Sequence, residues 1–177
     1  VNYTVIDTEL NKTKIPGIIE NIKSDKPDLI CTINYPTAFA DIMISQKLKE
    51  SEYKFVSENC IPIKSGTIKS WKKPGGNITG VGVFIQMNSP LRLMKKINPR
   101  FKKLAVYSWD RVPMLNEWLE SEFRRACHEE NIELLEFRRV PHQEATFEFF
   151  EYYNGQGDDI FLSGGVTAFV HKDGSAA

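Results

Sequence analysis

Three histidines, three cysteines, the carboxylate pair Asp158-Asp159 and the glycines from 75 to 82 are the parts of this chain from which chemistry could be built. His128, His142 and His171 are scattered, and none stands at metal-ligand spacing from a second histidine or a cysteine. Cys31, Cys60 and Cys127 form no C-x-x-C pair, which argues against a zinc site. Cys31 lies in an apolar run and Cys127 on an apolar helix face, so both read as small buried apolar residues. An odd, low count fits the cytoplasm or an exported protein without disulfides. Asp158-Asp159 is the type of pair that acid–base chemistry uses. It precedes a strand, at the end opposite the expected ligand edge, and reads as a solvated turn. Gly75, Gly76, Gly80 and Gly82 lie in KPGGNITGVGVF, residues 73–84. The spacing is not G-x-G-x-x-G, a strand follows instead of a helix, and the Gly-Lys-Ser/Thr of a phosphate loop is missing. What remains is a turn at Gly75-Gly76 and a strand in which glycines at 80 and 82 ease a bend. No G-x-S-x-G turn supports a Ser/His/Asp set.

The elements that would position these residues alternate. VNYTVI reads as a strand. Ile15, Ile18, Ile19 and Ile22 recur at helical spacing, with Thr13 as the expected cap and DKP as the stop. LICTI is a short strand. Pro36 opens a helix carrying Phe39, Ile42 and Met43 inward, and YKFVS is the next strand. The second half repeats the plan. Ser89 and Pro90 start a helix with Leu91, Met94 and Ile97 on one side, and KKLAVYS follows as a strand. A long helix carries Leu115, Trp118, Leu119, Phe123, Ala126 and Cys127 as its apolar stripe. IELLEFRRV is a strand, TFEFFEYY a core-facing helix and DDIFLS a further strand. Two α/β series with mainly parallel sheets are thus expected, their strands apolar on both faces.

Composition narrows the function. The 177 residues carry 23 Lys plus Arg against 23 Asp plus Glu. A neutral chain lacks the basic field on which most nucleic-acid binders rely, so no nucleic acid is expected as partner. No apolar run approaches the roughly 20 residues that span a bilayer. The chain opens on strand-like residues with no signal peptide.

The order KPDLI, then Asn34-Tyr35-Pro36-Thr37-Ala38, then Pro62 to Gly66, then PGGNITGV, then KKLAVYSWD resembles the ABC-transporter substrate-binding proteins. These are periplasmic binding proteins of the type I-like class that includes tryptophan- and tyrosine-binding members. The likeness runs over nearly all of the chain. It implies two Rossmann-like lobes, residues 1–84 and 85–177, with a hinge near 80–90 and a ligand held between them. It also implies that lobe one lacks its first strand and helix and that lobe two is partial. The partners implied are a small polar or amino-acid-like ligand and an ABC permease, in a periplasmic or extracellular membrane-associated setting. No cofactor, metal or catalytic residue is implied. The same fold serves as the ligand-sensing domain of membrane kinases or cyclases, which is the alternative; an α/β enzyme is the third reading.

Ligands of open α/β sheets sit beyond the carboxyl ends of the strands. That rule names Asn34, Tyr35 and Thr37 in the first half, and Glu58 and Asn59 after the next strand. In the second half it names Ser108, Trp109 and Asp110, then Ser163, Gly164 and Gly165. Backbone amides at the Pro36 helix start suit a carboxylate. Tyr35 and Trp109 either stack on a flat ligand or fill space between the lobes. Tyr35 replaces a small residue of the family pattern.

Overall fold

The computed structural model of this chain describes residues 2–7, 12–33, 52–58, 61–64, 66–82, 86–168 and 170–175. The chain divides into two compact units, Val1–Phe84 and Ile85–Ala177.

In the first unit, α1 spans Ile15–Asp25 and buries Ile15, Ile18, Ile19 and Ile22. Its N-cap falls at Lys14, after a short 3-10 turn at Lys12–Lys14, with no side-chain cap at that position. Thr13, the expected cap, therefore lies inside the turn, one residue before the observed N-cap. The helix stops where Lys26 adopts a left-handed backbone (φ 47°) ahead of Pro27. Strands β1 (Ile30–Thr32), β2 (Phe55–Glu58) and β3 (Ile78–Val81) form a parallel sheet in that order. The isoleucine stripe of α1 packs with Ile30, Tyr53, Phe55, Ile68 and Ile78 into one core.

Two expectations fail in this unit. Residues 2–7 are not a strand; they are exposed throughout, Tyr3 by 85 % and Val5 by 81 %. A β-prone string becomes a strand only when a neighbour completes its ladder. The strands are also not buried on both faces. β1 and β2 alternate, so Ile30 points to the core while Cys31 is exposed. The period of two, rather than the apolar character of LICTI, decides where that thiol goes. Cys60 and the helix expected from Pro36 lie outside the described residues.

The second unit has α2 (Asn88–Ile97), β4 (Lys103–Trp109), α3 (Pro113–Glu129), β5 (Glu133–Val140), α4 (Gln143–Tyr153) and β6 (Ile160–Gly164). The sheet is parallel, in the order β5-β4-β6. Central β4 is buried from Leu104 to Val106 and again at Ser108 and Trp109. Ala105 and Tyr107 face α4, where Phe149 and Tyr153 pack with Leu135, Ile160 and Leu162. Phe137 of β5 meets Phe123 of α3 on the other face. A bulge in β5 between the partners of Leu104 and Ala105 makes this possible. It shifts register by one residue, so Leu135 joins the α4 face without displacing Glu136 and Arg138 from it. Glu136 accepts from the Tyr153 hydroxyl at 2.6 Å and pairs with Arg138, whose guanidinium lies over Phe149.

The α3 stripe is buried as its spacing requires, with Trp118 half-buried at its edge. On α2 only part of the expected stripe is inside: Leu91 is buried, Met94 half-buried and Ile97 exposed. In TFEFFEYY, Thr146, Phe149 and Tyr153 face inward while Phe147, Phe150 and Tyr152 remain exposed. One helix cannot turn five aromatics to a single face.

Candidate functional site

The carboxyl edge of each sheet is where an open parallel sheet receives a ligand. In the second unit that edge is closed tightly. Gly165 N–H donates to Tyr107 O at 2.7 Å, Val166 N–H to Ser108 Oγ at 2.9 Å, and Trp109 N–H to Val166 O at 2.8 Å. The turn after β6 is thereby laced to the end of β4. Glycine is required here by close approach: a Cβ at Gly165 would stand 2.8 Å from Ser108 Oγ and 3.3 Å from Leu119. A Cβ at Gly164 would stand 2.9 Å from the Tyr107 hydroxyl.

The sequence-named residues separate accordingly. Ser108 is fully buried, its hydroxyl engaged by the Val166 amide, and Trp109 is 2 % exposed. Asp110 is exposed, with its own N–H given to Val140 O at 3.0 Å. Ser163 is half-buried and Gly164 is exposed. Arg111 is exposed and places its guanidinium 5.9 Å from the Trp109 ring. In the first unit Glu58 ends β2, half-buried, in register with Val81. Asn34, Tyr35, Thr37 and Asn59 lie outside the described residues.

Two of the three histidines, scattered in sequence, meet at one carboxylate. Glu144 Oε1 is 2.9 Å from His171 Nδ1, and Oε2 is 3.3 Å from His142 Nδ1. Glu144 Oε2 also accepts from Lys172 N–H at 2.9 Å. Its own backbone N–H and then His171 hold the Glu144 carboxyl below the usual carboxylate range. His142 is the N-cap of α4, accepting from Ala145 N–H at 3.2 Å. Sequence reasoning missed this role; the signal was a polar residue just before an apolar helix. Among the described residues no cluster of histidine, cysteine and carboxylate is arranged to hold a metal.

Asp158 and Asp159 lie at the opposite, amino edge. Asp158 pairs with Arg100, and Asp159 with Lys103 at 3.1 Å. Lys102 and Lys103 N–H donate to the Asp159 carbonyl. The pair anchors the turn into β6. Burial pushes the Cys127 thiol up to about 11, so it is a core residue and no nucleophile.

Parallel sheets with helices between the strands, in two units, define the α/β architecture of the periplasmic binding proteins. An L-Trp-bound ABC domain from Streptococcus pneumonia superposes with a TM-score of 0.71 at 20 % identity, over 92 % of this chain and 54 % of that one. A ligand-free, open substrate binding protein with adhesive properties from Clostridium difficile gives 0.59 at 18 % identity, over 86 % and 50 %. The family of ABC transporter substrate binding proteins matches residues 1–138, and the chain belongs to that family. A curated relative, the tyrosine-binding protein of Clostridioides difficile (strain R20291), is 32 % identical over 90 residues. That stretch is 51 % of this chain and 25 % of the relative. The chain spans about half the length of the two solved structures. Among the described residues no helix is long and apolar enough to cross a membrane.

Proposed function

We propose that this chain is part of an extracytoplasmic solute-binding protein that delivers a small zwitterionic molecule, an amino acid, to an ABC permease. The observation that carries the reading is family membership over residues 1–138, and the parallel sheets of both units agree with it. Glu58, Asp110, Ser163 and Gly164 are the described residues assigned to ligand contact. Asn34, Tyr35, Thr37 and Asn59 complete the set by their place after strands. Ser108 and Trp109 support that edge from beneath. The ligand is held and released unaltered, the reading that membership of a substrate-binding family supports. Relatives named for tyrosine and for bound L-Trp direct the first choice of ligand to aromatic amino acids.

Binding to the folded state stabilises it by mass action, by about 2.7 kcal/mol at a hundredfold excess over Kd, and so raises the melting temperature. The test is a thermal-shift panel of amino acids, short peptides and sugars on the full-length protein, with isothermal titration of each hit. A saturable shift with an amino acid that is recovered chemically unchanged is expected. A panel without any shift, or a hit converted to product, sinks the reading.

A further inference from the structure

We propose that Trp71 forms one wall of the ligand site, its outward indole face stacking on the flat side chain of an aromatic amino acid. This rests on the solute-binding reading and adds the element of the first unit that selects the ligand. Neither the sequence motifs nor the strand-end rule points to this residue, which lies in the loop entering β3.

The loop is folded tightly on itself. Ile68 N–H donates to Pro62 O at 3.1 Å, Gly66 N–H to Ile63 O at 3.0 Å, and Lys69 N–H to Pro74 O at 2.8 Å. Lys73 N–H bonds the Ser70 hydroxyl at 3.1 Å, which closes the tip around Trp71 and Lys72. The tip is folded back along the sheet. The indole rests on the backbone of Gly82, the residue that follows β3, at the carboxyl edge of the first unit. A Cβ at Gly82 would stand 1.9 Å from the indole Cη2, so only glycine admits the ring at that position.

The ring thus meets Gly82 with its distal edge, at Cη2 and Cζ3, and 54 % of the residue is exposed. It stands at the edge to which Glu58 and Val81, paired in register, also belong. A tryptophan presents a wide rigid surface at the cost of only two side-chain torsions, which suits a recognition wall. Its quadrupole favours an offset aromatic ring. Exposed Lys72 and Lys73 flank it in the same tip, and like charge disfavours a cationic side chain there. The ligand class is therefore a neutral or acidic aromatic amino acid rather than a basic one.

The test uses the full-length protein and titration calorimetry with L-tryptophan and L-tyrosine on wild type, Trp71→Phe and Trp71→Leu. Leucine keeps an apolar cover over Gly82 but has no π face. Phenylalanine is expected to bind within about threefold of wild type, and leucine about five- to tenfold more weakly. In parallel, the 19F resonance of 5-fluorotryptophan-labelled protein that disappears in Trp71→Phe is expected to shift on saturation with L-tyrosine; this does not depend on how a variant folds. Leucine binding as tightly as wild type, or a Trp71 resonance that ligand leaves unmoved, overturns the proposal; either result reassigns the exposed ring to a protein partner. A wild type that binds neither amino acid overturns the aromatic-ligand reading as a whole, and is seen before any variant is made.

Discussion

The side-chain amide of Asn116, in the first turn of α3, donates to the main-chain carbonyl of Trp109 at the end of β4, at 2.6 Å. Both residues are buried. The bond turns the chain from the sheet into the helix at the carboxyl edge of the second unit's sheet. It also satisfies a carbonyl at the end of its strand, where ladder pairing stops.

Asn116→Ala is expected to leave that carbonyl without its partner and to lower stability by about 1–3 kcal/mol. Urea unfolding of wild type and variant checks this through the midpoint. A midpoint unchanged within error would show that the bond contributes nothing net.

Gly80 of β3 stands opposite Ser57 of β2, and a Cβ there would lie 1.8 Å from the Ser57 carbonyl oxygen. Backbone cannot give way as a side-chain tip can. Gly80→Ala is expected to disrupt β2–β3 pairing and to cost more than the roughly 1–3 kcal/mol typical of overpacking. Proton exchange of the β3 amides is the direct readout. Protection equal to wild type would count against it.

The two described cysteines should react very differently. Cys31 is exposed, and Cys127 is buried with its thiol pushed up to about 11. At pH 8, iodoacetamide followed by peptide mass spectrometry should label Cys31 in the native protein and Cys127 only after denaturant. Early labelling of Cys127 would mean that α3 opens locally.

Glu144 ties the first turn of α4 to residues 171 and 172, and its carboxyl is held low by its own backbone N–H and then by His171. A carboxylate whose folded value is depressed contributes stability that is present above its unfolded value and lost as pH falls through the folded value. The tether should therefore hold at neutral pH and loosen only as pH falls below the usual carboxylate range. The protection factor of the Lys172 amide, taken against the intrinsic rate at each pH from 6 to 3, should fall in wild type. Glu144→Gln should show the low protection at every pH. Exchange at Lys172 that is equally slow in Glu144→Gln would remove the carboxylate from the account.

Much of the order of elements was legible along the chain. The isoleucine spacing at 15, 18, 19 and 22, and the stripe from Leu115 to Cys127, dictate helices because period and polarity agree over several turns. KKLAVYS and DDIFLS are strands for the same reason: short apolar β-formers bounded by turn residues. The alternation of helix with strand then implies parallel sheets, and with PGGNITGV it implies the family. Glycines at 80 and 82 were legible as places that ease a bend, and the close approach of Ser57 and Trp71 to them is what the fold adds.

What each side chain does at the site was decided by tertiary structure. Ser108 and Trp109, expected just beyond a strand, are instead the last residues of β4, and the turn after β6 closes over them through hydrogen bonds that no local spacing encodes. His142 and His171 stand far apart in sequence and are joined only because the segment after β6 returns to the start of α4, where Glu144 lies. Cys31 and VNYTVI were misjudged because apolar character does not specify which face of a strand is covered, or whether a strand has a neighbour. Trp71 reads as an ordinary loop residue until the fold lays it on Gly82. Propensity and periodicity act between neighbours a few residues apart, and they determine the elements. Burial and close approach depend on which distant segments arrive at one place, and only the folded chain determines that.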